Sequence, residues 1–373
     1  MNLNRLLTAA VVFCTCYAAG LALGPAARAQ EAPAYRHDPA WPKPFAAGWS
    51  LGGITGVFAD HEDHIWVLHR PRDLATANNA PVPNPPPAAP AVLEFDADGT
   101  LLTSWGVPDM VPGWPTREHT IFVDRQKNVF IAGSEPGDSI LKFTRDGRFL
   151  SDFGHRGPVV PLAGQRQENQ QTDLLSRGVA SAALDENAHE LYIADGYLNR
   201  RLLVYDADTG RFKRGWGAYG IALAEIPNDP QPPYDPAITA KQFAAPVHCV
   251  TISRDGLVYV CDRAGNRVQV FTKDGKFQKE FFVARETLTR GTVGSVSFSP
   301  DQAQQHIFIA DMANQAMWIL NRQTGAVVQR IGSSGRGPGQ FQGPHMAAMD
   351  SKGNLYVGEV GARRAQKFLP PAR

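Results

Sequence analysis

Three histidines recur at one place in a repeated strand pattern. His119, His248 and His345 each stand five residues before a turn position, at the start of a segment with strand-like composition. Three imidazoles brought to one point form a three-nitrogen site with an open fourth position, as in many catalytic zinc sites. Imidazole also suits copper, nickel, cobalt or iron. The pattern therefore predicts one transition-metal site, preferably for zinc, and three unrelated buried histidines are the alternative.

The elements that must position these histidines are six copies of a four-stranded unit. The second strands of the copies are residues 65–68, 129–132, 191–194, 258–261, 307–310 and 355–358. No amphipathic helical pattern separates the strands, which excludes an α/β fold. Six such units bury both faces of each sheet when they pack radially. The sequence thus predicts an all-β, six-bladed β-propeller, with an N-terminal strand between Tyr35 and Phe45 closing the ring.

The histidines alternate with small residues around this expected ring. Thr55, Ala180 and Gly294 occupy the same position in the first, third and fifth copies. The first strand of each propeller blade lines the central channel, and alternate blades lie about 120° apart around the axis. Histidines in copies two, four and six should therefore meet on the axis at one height.

Composition and the N-terminus limit the classes of partner. The chain has 373 residues, a net charge of +1, 43% hydrophobic residues and 20% charged residues, which is typical of a globular protein and gives no basic footprint for nucleic acid. The apolar run 6–23 and the Ala27-Arg28-Ala29 sequence predict a secretory signal peptide over residues 1–29. Residues 30–373 are then expected to form a single exported domain without a membrane span, either periplasmic or secreted.

Two cysteines remain after this segment. Cys249 and Cys261 flank an expected hairpin with a turn at Arg254-Asp255-Gly256. A three-residue loop would place the cysteines opposite each other, so that a disulfide could form in an oxidising compartment. A two-residue loop would shift the register and leave two buried thiols. The sequence leaves both alternatives open.

Three further side chains are expected at the mouth of the channel. Arg70, Tyr197 and Arg263 each follow a second strand closely. The end of the second strand lies beside the start of the first strand, because neighbouring strands are antiparallel. Two guanidinium groups there could hold a carboxylate, and a phenol beside a dication becomes a usable base. Solvated or Asp-paired arginines and a packed loop tyrosine are the alternatives.

These residues together resemble the peptidyl-α-hydroxyglycine α-amidating lyase family, within the broader NHL-repeat propellers. The resemblance covers roughly residues 52–368 and rests on these segments: Val67-Leu68-His69-Arg70, His119 with its strand, Ala194-Asp195-Gly196-Tyr197-Leu198-Asn199 followed by Arg201, Val247-His248 with Asp262-Arg263, and Gly343-Pro344-His345.

The resemblance implies zinc ligation by the three histidines, a base role for Tyr197 and substrate binding by Arg70 and Arg263. The implied reaction cleaves the N–C bond of a C-terminal α-hydroxyglycine to a peptide amide and glyoxylate, so the partner would be a small carboxylated or peptide-like substrate. The family has Asp after the third histidine, where it supports a structural calcium. Here Met346 stands instead, and a thioether does not suit that hard cation. Leu198 likewise replaces a family cysteine, so the disulfide made by that cysteine is not expected.

Two other functions compete with a lyase. A non-catalytic NHL propeller could bind a protein or a glycan on one face, using long loops such as residues 155–175. A lactonase-type propeller hydrolase would carry acidic and amide calcium ligands on the axis, where this sequence has histidines instead. The sequence does not identify the physiological substrate or the oligomeric state.

Overall fold

Six four-stranded antiparallel sheets make up almost all the regular structure. The computed structural model describes residues 35–45, 48–77, 80–134, 139–154, 169–176 and 178–371. The predicted signal peptide lies outside these residues. The innermost strands of consecutive sheets contact one another all the way around, and the last contacts the first. The prediction of an all-β, six-bladed β-propeller is therefore confirmed.

The strands are numbered in chain order and grouped by blade. Blade 1 contains β2 (Ile54–Ala59), β3 (Ile65–His69), β6 (Val92–Phe95) and β7 (Leu101–Trp105), and the separate hairpin β4 (Thr76–Ala77) and β5 (Ala80–Pro81) lies between β3 and β6. Blade 2 contains β8 (Arg117–Val123), β9 (Val129–Ser134), β10 (Ile140–Phe143) and β11 (Phe149–Phe153). Blade 3 contains β12 (Val179–Asp185), β13 (Glu190–Asp195), β14 (Arg201–Asp206) and β15 (Phe212–Trp216).

Blade 4 contains β16 (Val247–Ile252), β17 (Val258–Asp262), β18 (Arg267–Phe271) and β19 (Phe277–Phe282). Blade 5 contains β20 (Ser295–Phe298), β21 (His306–Asp311), β22 (Ala316–Asn321) and β23 (Val327–Ile331). Blade 6 contains β24 (Pro344–Met349), β25 (Leu355–Glu359), β26 (Arg364–Leu369) and β1 (Arg36–Asp38). Short 3-10 turns span Pro71–Leu74, Ala218–Gly220 and Leu223–Glu225. Within the described ranges, no helix has the length and apolarity needed to cross a bilayer.

The N-terminal strand closes the ring. β1 pairs antiparallel with β26, and Arg36 lies opposite Leu369. The outer strand of blade 6 therefore comes from the segment in which the sequence predicted it.

The core lies between adjacent blades. Alternate side chains of a strand point to opposite faces, and each blade is covered on both faces by its neighbours. Between blades 1 and 2, for example, Trp66 and Leu68 pack in one cluster with Ile131 and Phe143. Burying one such side chain contributes about 1.5–3 kcal/mol, which explains why the second strands are nearly continuous apolar runs.

The two cysteines form a disulfide across blade 4. Cys249 and Cys261 are direct partners in the β16–β17 register, with their Cα atoms 4.8 Å apart. The amide of Ser253 donates to the carbonyl of Leu257, so the loop has the three residues that this register requires. Of the two alternatives, the structure shows the disulfide, which ties the strand of His248 to the strand that ends beside Arg263.

Candidate metal centre

The three histidines meet on the propeller axis. The ring centroids of His119, His248 and His345 lie 4.7, 4.8 and 4.9 Å apart, a nearly equilateral triangle. One nitrogen from each ring lies within 4.8 Å of the other two, and all three residues are buried. The structure thus brings together the three predicted ligands, one from each alternate blade.

A β-bulge marks the position of each histidine. The pairing of the first strand with the second shifts register across His119, His248 and His345, and also across Thr55 and Ala180 in blades 1 and 3. A bulge leaves one residue without a cross-strand partner and re-aims its side chain. In blades 2, 4 and 6 this residue is the histidine, and its ring is directed towards the axis.

The small residues of the odd blades hold the imidazoles by their backbone. Nδ1 of His119 lies 2.5 Å from the carbonyl oxygen of Ala180, and Nδ1 of His248 lies 2.6 Å from that of Gly294. Nδ1 of His345 lies 3.0 Å from the carbonyl oxygen of Thr55. A carbonyl only accepts hydrogen bonds, so each Nδ1 carries the proton and each Nε2 is left with a free lone pair.

Burial keeps the three rings neutral. Desolvation is the main cause that lowers the pKa of His119 and of His248 well below the usual value, and it lowers the pKa of His345 to about 3. The charges of Arg70 and Arg263 add to the effect on His345. Three neutral imidazoles with fixed tautomers and converging Nε2 atoms fit a transition-metal ion, and the Nδ1–carbonyl bonds are the outer-shell support common at such sites.

Tyr197 lies against the open side of this cluster. Its hydroxyl is 2.8 Å from Nε2 of His119 and 3.2 Å from Nε2 of His248. Tyr197 immediately follows Gly196, whose backbone packs so closely on Val247 that a Cβ there would lie 1.9 Å from the Val247 carbonyl oxygen. Close packing of the β13–β14 loop on blade 4 therefore brings the phenol to the three histidines.

The two predicted arginines flank the same cluster. Arg70 is buried, and its Nε donates to the carbonyl of Glu118 at 2.9 Å. The guanidinium of Arg263 lies 5.9 Å from the ring centroid of Tyr197, and its Nε is buried without a hydrogen-bond partner. Neither arginine forms an ion pair with any carboxylate among the described residues. A buried donor that lacks an acceptor is costly, so Arg263 is suited to receive an anion.

Other arginines near the strand ends are neutralised. Arg201 pairs with Asp195 at 2.8 Å, and Arg267 pairs with Asp262 at 2.8 Å. The carboxylates that end the second strands of blades 3 and 4, Asp195 and Asp262, are thus each already paired with an arginine. In the part of the chain that the structure describes, Arg263 and Arg70 have no such direct partner beside three neutral imidazoles, although Asp73 and Glu118 act on Arg70 from a distance, and this excess of positive charge favours an anionic ligand.

Two neighbouring features are distinct from this centre. Met346 follows His345 and lines a cavity of about 470 Å³ on the propeller axis. The cavity lies between the first strands, on the side of the histidines where these strands end. Asp60, His64 and Glu94 form a second group with closely spaced ligand atoms. Its carboxylates already accept hydrogen bonds, Asp60 from the indole of Trp66 and Glu94 from His64 and an arginine, so these contacts explain the group as structural.

The sequence did not reveal how the odd blades contribute. In the sequence, Thr55, Ala180 and Gly294 are only small residues at the same position, whereas in the structure their carbonyl oxygens fix the tautomers of the histidines. The strict alternation of histidine with a small residue is the sequence feature that could have indicated this role, since a small residue leaves room for an imidazole of the preceding blade.

Comparisons with known proteins agree with this architecture. A family model of the NHL repeat matches residues 247–271. The chain is 27% identical over 353 residues to NHL repeat-containing protein 3 of Mus musculus, an alignment that covers 91% of this chain and 85% of that protein. It is 27% identical over 193 residues to peptidyl-glycine alpha-amidating monooxygenase B of Xenopus laevis, covering 50% of this chain and 20% of that protein.

The fold is shared with solved propellers. A streptogramin B lyase superposes with a TM-score of 0.51 at 12% identity, over 91% of this chain and 97% of that chain. At this identity the likeness shows the fold alone. The chain is therefore a six-bladed β-propeller with an NHL-repeat match in blade 4, similar in sequence to NHL repeat-containing protein 3 and, over half of its length, to a peptidyl-glycine alpha-amidating monooxygenase.

Proposed function

We propose that the protein is a zinc-dependent carbon–nitrogen lyase that cleaves an α-hydroxyglycine-like substrate to an amide and glyoxylate. The observation that carries the proposal is the arrangement of three unprotonated Nε2 atoms facing one another with the Tyr197 hydroxyl against two of them. Partial similarity to a protein named for the α-amidation of peptidyl-glycine supports a reaction that yields an amide.

The histidines supply the metal-binding set, and zinc bound there would supply Lewis acidity towards a substrate oxygen. His119, His248 and His345 would hold the ion through Nε2, while each Nδ1 keeps its proton and donates a hydrogen bond to a backbone carbonyl. The site has no carboxylate ligand among the described residues, so the ion would keep its full positive charge. The unpaired guanidinium of Arg263, and that of Arg70 across the cluster, bind the carboxylate of the substrate.

Tyr197 is the residue placed to move the proton. As a phenolate it accepts the proton of the substrate hydroxyl, and the O–H electron pair becomes the second bond of the new carbonyl. The C–N bond breaks, and its electron pair goes to the nitrogen, which takes the proton back from Tyr197. The products are a neutral amide and glyoxylate, and no oxidant or water is consumed. Both Arg70 and Arg263 stay bound to a carboxylate throughout.

A non-catalytic propeller that binds a protein or glycan is the second candidate. The observation that favours it is the long alignment with NHL repeat-containing protein 3, a name that states no activity. The two candidates differ in whether the three histidines bind a metal ion, because a binding propeller does not require a metal on its axis.

We also propose that the protein is exported to the periplasm or the medium. The apolar run before Ala29 and the Cys249–Cys261 disulfide support this location, because disulfides persist in oxidising compartments. N-terminal sequencing of the mature protein tests it. A first residue at position 30 is the expected result, and a chain that retains residues 1–29 in the cytoplasm would contradict it.

Metal content and product release test the lyase directly. We expect about one zinc ion per chain in the wild type and far less in His248→Ala, while His306→Ala, outside the cluster, keeps the ion. The zinc-loaded wild type should release glyoxylate from an N-acyl-α-hydroxyglycine. Absence of a transition metal after zinc is supplied would contradict the lyase and favour the binding propeller.

A further inference from the structure

A groove runs beside the metal centre on blades 5 and 6. It encloses about 460 Å³ and is lined by Thr289, Arg290, Met312, Ala313, Gln315, Ser334, Gln342, Gly343, Val360 and Gly361. This volume lies within the range of small-ligand sites. Its residues lie in the loops that precede the first strands β20 and β24 or that follow the second strands β21 and β25. The histidines also lie at the start of first strands, so the groove opens on the same face of the propeller.

The groove lies close to the backbone of both proposed substrate-binding arginines. Gly343 lies two residues before His345, so their Cα atoms are at most about 7.6 Å apart. At one end, Gly291 packs so closely on Arg263 that a Cβ there would lie 2.0 Å from the Arg263 carbonyl oxygen. Arg290, which lines the groove, is therefore adjacent in sequence to a residue packed on Arg263.

The other end of the groove reaches Arg70. A Cβ at Gly53 would lie 3.0 Å from Cγ1 of Val360, a groove residue. The carbonyl of Gly53 accepts the amide of Arg70 at 3.0 Å. The groove thus lies on the side of the cluster that carries His345, between the backbone of Arg263 and the backbone of Arg70, while the two guanidinium groups contact Glu118 and Tyr197 on the side of blades 2 and 3.

The charge of the groove is positive. None of its lining residues is acidic, and Arg290 is exposed and forms no ion pair with the described carboxylates. Arg336 borders the groove, and its guanidinium donates to Gln342 at 2.8 Å and to Gly361 at 3.4 Å. The nearby carboxyl of Glu359 is buried and already bound by Arg364 and by the amide of Gln342, so it does not offset this charge.

We propose that this groove binds the acyl part of the substrate and selects an acidic side chain in one of the two residues that precede the hydroxyglycine. The substrate class would then be an acidic peptide, bound by Arg290 and the backbone around Gln342 and Gly343. The inference rests on the proposed function, because it places the scissile residue at the metal centre. The reach fits, since an extended residue spans about 3.3–3.6 Å and two residues bridge from His345 to the groove.

The test uses zinc-loaded protein and four peptides: acetyl-Glu-Val, acetyl-Gln-Val, acetyl-Val-Glu and acetyl-Val-Gln, each ending in α-hydroxyglycine. Glyoxylate release gives kcat/KM for each peptide. We expect the glutamate peptide of one pair to be favoured about three- to fivefold over its glutamine partner, as for an exposed ion pair. Arg290→Gln should abolish this preference, whereas Arg148→Gln, an exposed arginine of the β10–β11 turn on the opposite face, should keep it.

Binding separates the groove from the chemistry. The same peptides ending in glycine lack the hydroxyl and are not cleaved, and their dissociation constants are measured by titration calorimetry. Tighter binding of a glutamate peptide, lost in Arg290→Gln, supports the groove even if no peptide yields glyoxylate and the lyase fails. Equal binding and equal kcat/KM for glutamate and glutamine peptides, a preference that survives Arg290→Gln, or no binding of any peptide would overturn the inference while leaving glyoxylate release to judge the lyase.

Discussion

Gly294→Ala tests whether backbone carbonyls orient the metal centre. Gly294 carries no ligand atom, but its carbonyl oxygen accepts the Nδ1 proton of His248 at 2.6 Å. The substitution adds one methyl group to the inner edge of blade 5 and leaves all three histidines in place. We expect zinc to bind about 10- to 100-fold more weakly, the usual cost of disturbing an outer-shell partner.

The magnitude follows from the space around the residue. An alanine Cβ at position 294 would lie 2.9 Å from the carbonyl oxygen of His345 and 3.0 Å from that of Ala310. Even close C–H···O contacts in sheets keep about 3.3–3.6 Å between carbon and oxygen, so the strand must move by about 0.3–0.7 Å. Both obstacles are backbone atoms, and the Gly294 carbonyl moves with its own strand. The expected loss of affinity corresponds to about 1.4–2.7 kcal/mol.

The assay is competition for zinc between the protein and a fluorescent chelator at neutral pH. Ala180→Gly is the matched control, because residue 180 occupies the same position in its blade as Gly294. Its carbonyl oxygen accepts a hydrogen bond from Nδ1 of His119 at 2.5 Å. Removing a methyl group there creates no collision, so the zinc affinity should stay that of the wild type. The thermal midpoint of the metal-free proteins is measured in parallel, so that a general loss of packing can be recognised.

Gly294→Ala with the zinc affinity of the wild type would refute the reasoning. It would mean that the Nδ1–carbonyl bonds do not orient the imidazoles, and that the alternation of histidine and small residues has another cause. A fall of the affinity in Ala180→Gly as large as that in Gly294→Ala would equally contradict it, because no carbonyl is pushed there.

Three further outcomes follow from single contacts. Tyr197→Phe should lower kcat for glyoxylate release by about 10²- to 10⁴-fold with the zinc content unchanged, and full activity would exclude the phenol as the base. Desolvation by burial lowers the pKa of His69 from 6.5 to about 4, against hydrogen bonds to the carbonyls of Pro90 and Ala89 that act to raise it, so the unfolded chain binds a proton there first as the pH falls. His69 should therefore contribute about 1.4 kcal/mol per pH unit to the fall in the free energy of unfolding from about pH 6.5 to about pH 4, beside the contributions of the three axial histidines. Denaturant titration of His69→Gln should show the slope reduced by this amount, and an unchanged slope would contradict it. Cys249→Ala/Cys261→Ala should cost about 3 kcal/mol of unfolding free energy, as should reduction of the wild type, and an unchanged denaturant midpoint would show that the cross-link does not stabilise the fold.

The fold was readable from the sequence because each blade repeats one pattern. The aromatic residues that end the outer strands, such as Trp105 and Trp216, coincide with the observed strand ends. The N-terminal strand was predictable because a closed ring needs a fourth strand in blade 6, and β1 fills that place. Because the pattern occurs six times, the position at which a strand ends can be compared between copies. A domain without repeats does not allow this comparison.

The details of the site were less accessible to sequence reasoning. The register of the three histidines was visible, but the bulge that turns each ring to the axis depends on the pairing of two strands and leaves no residue signature. The disulfide remained undecided because one residue of loop length sets whether Cys249 meets Cys261. The unpaired state of Arg263 could not be predicted either, since it depends on Asp262 being taken by Arg267.

The chemistry of the axis argues for a ligand more strongly than the residue types alone. A channel that served only as core would be filled by apolar side chains or by polar groups that satisfy one another. Here the Nε2 of His345 accepts no hydrogen bond from the described residues, while Tyr197 has one proton to share between His119 and His248. Basic nitrogens that are left facing one another in a buried site are costly unless a cation joins them. Because each Nδ1 proton is hydrogen-bonded to a backbone carbonyl, the tautomer that would place a proton on Nε2, facing the axis, is disfavoured. Each imidazole is therefore held in the tautomer that a metal ion requires.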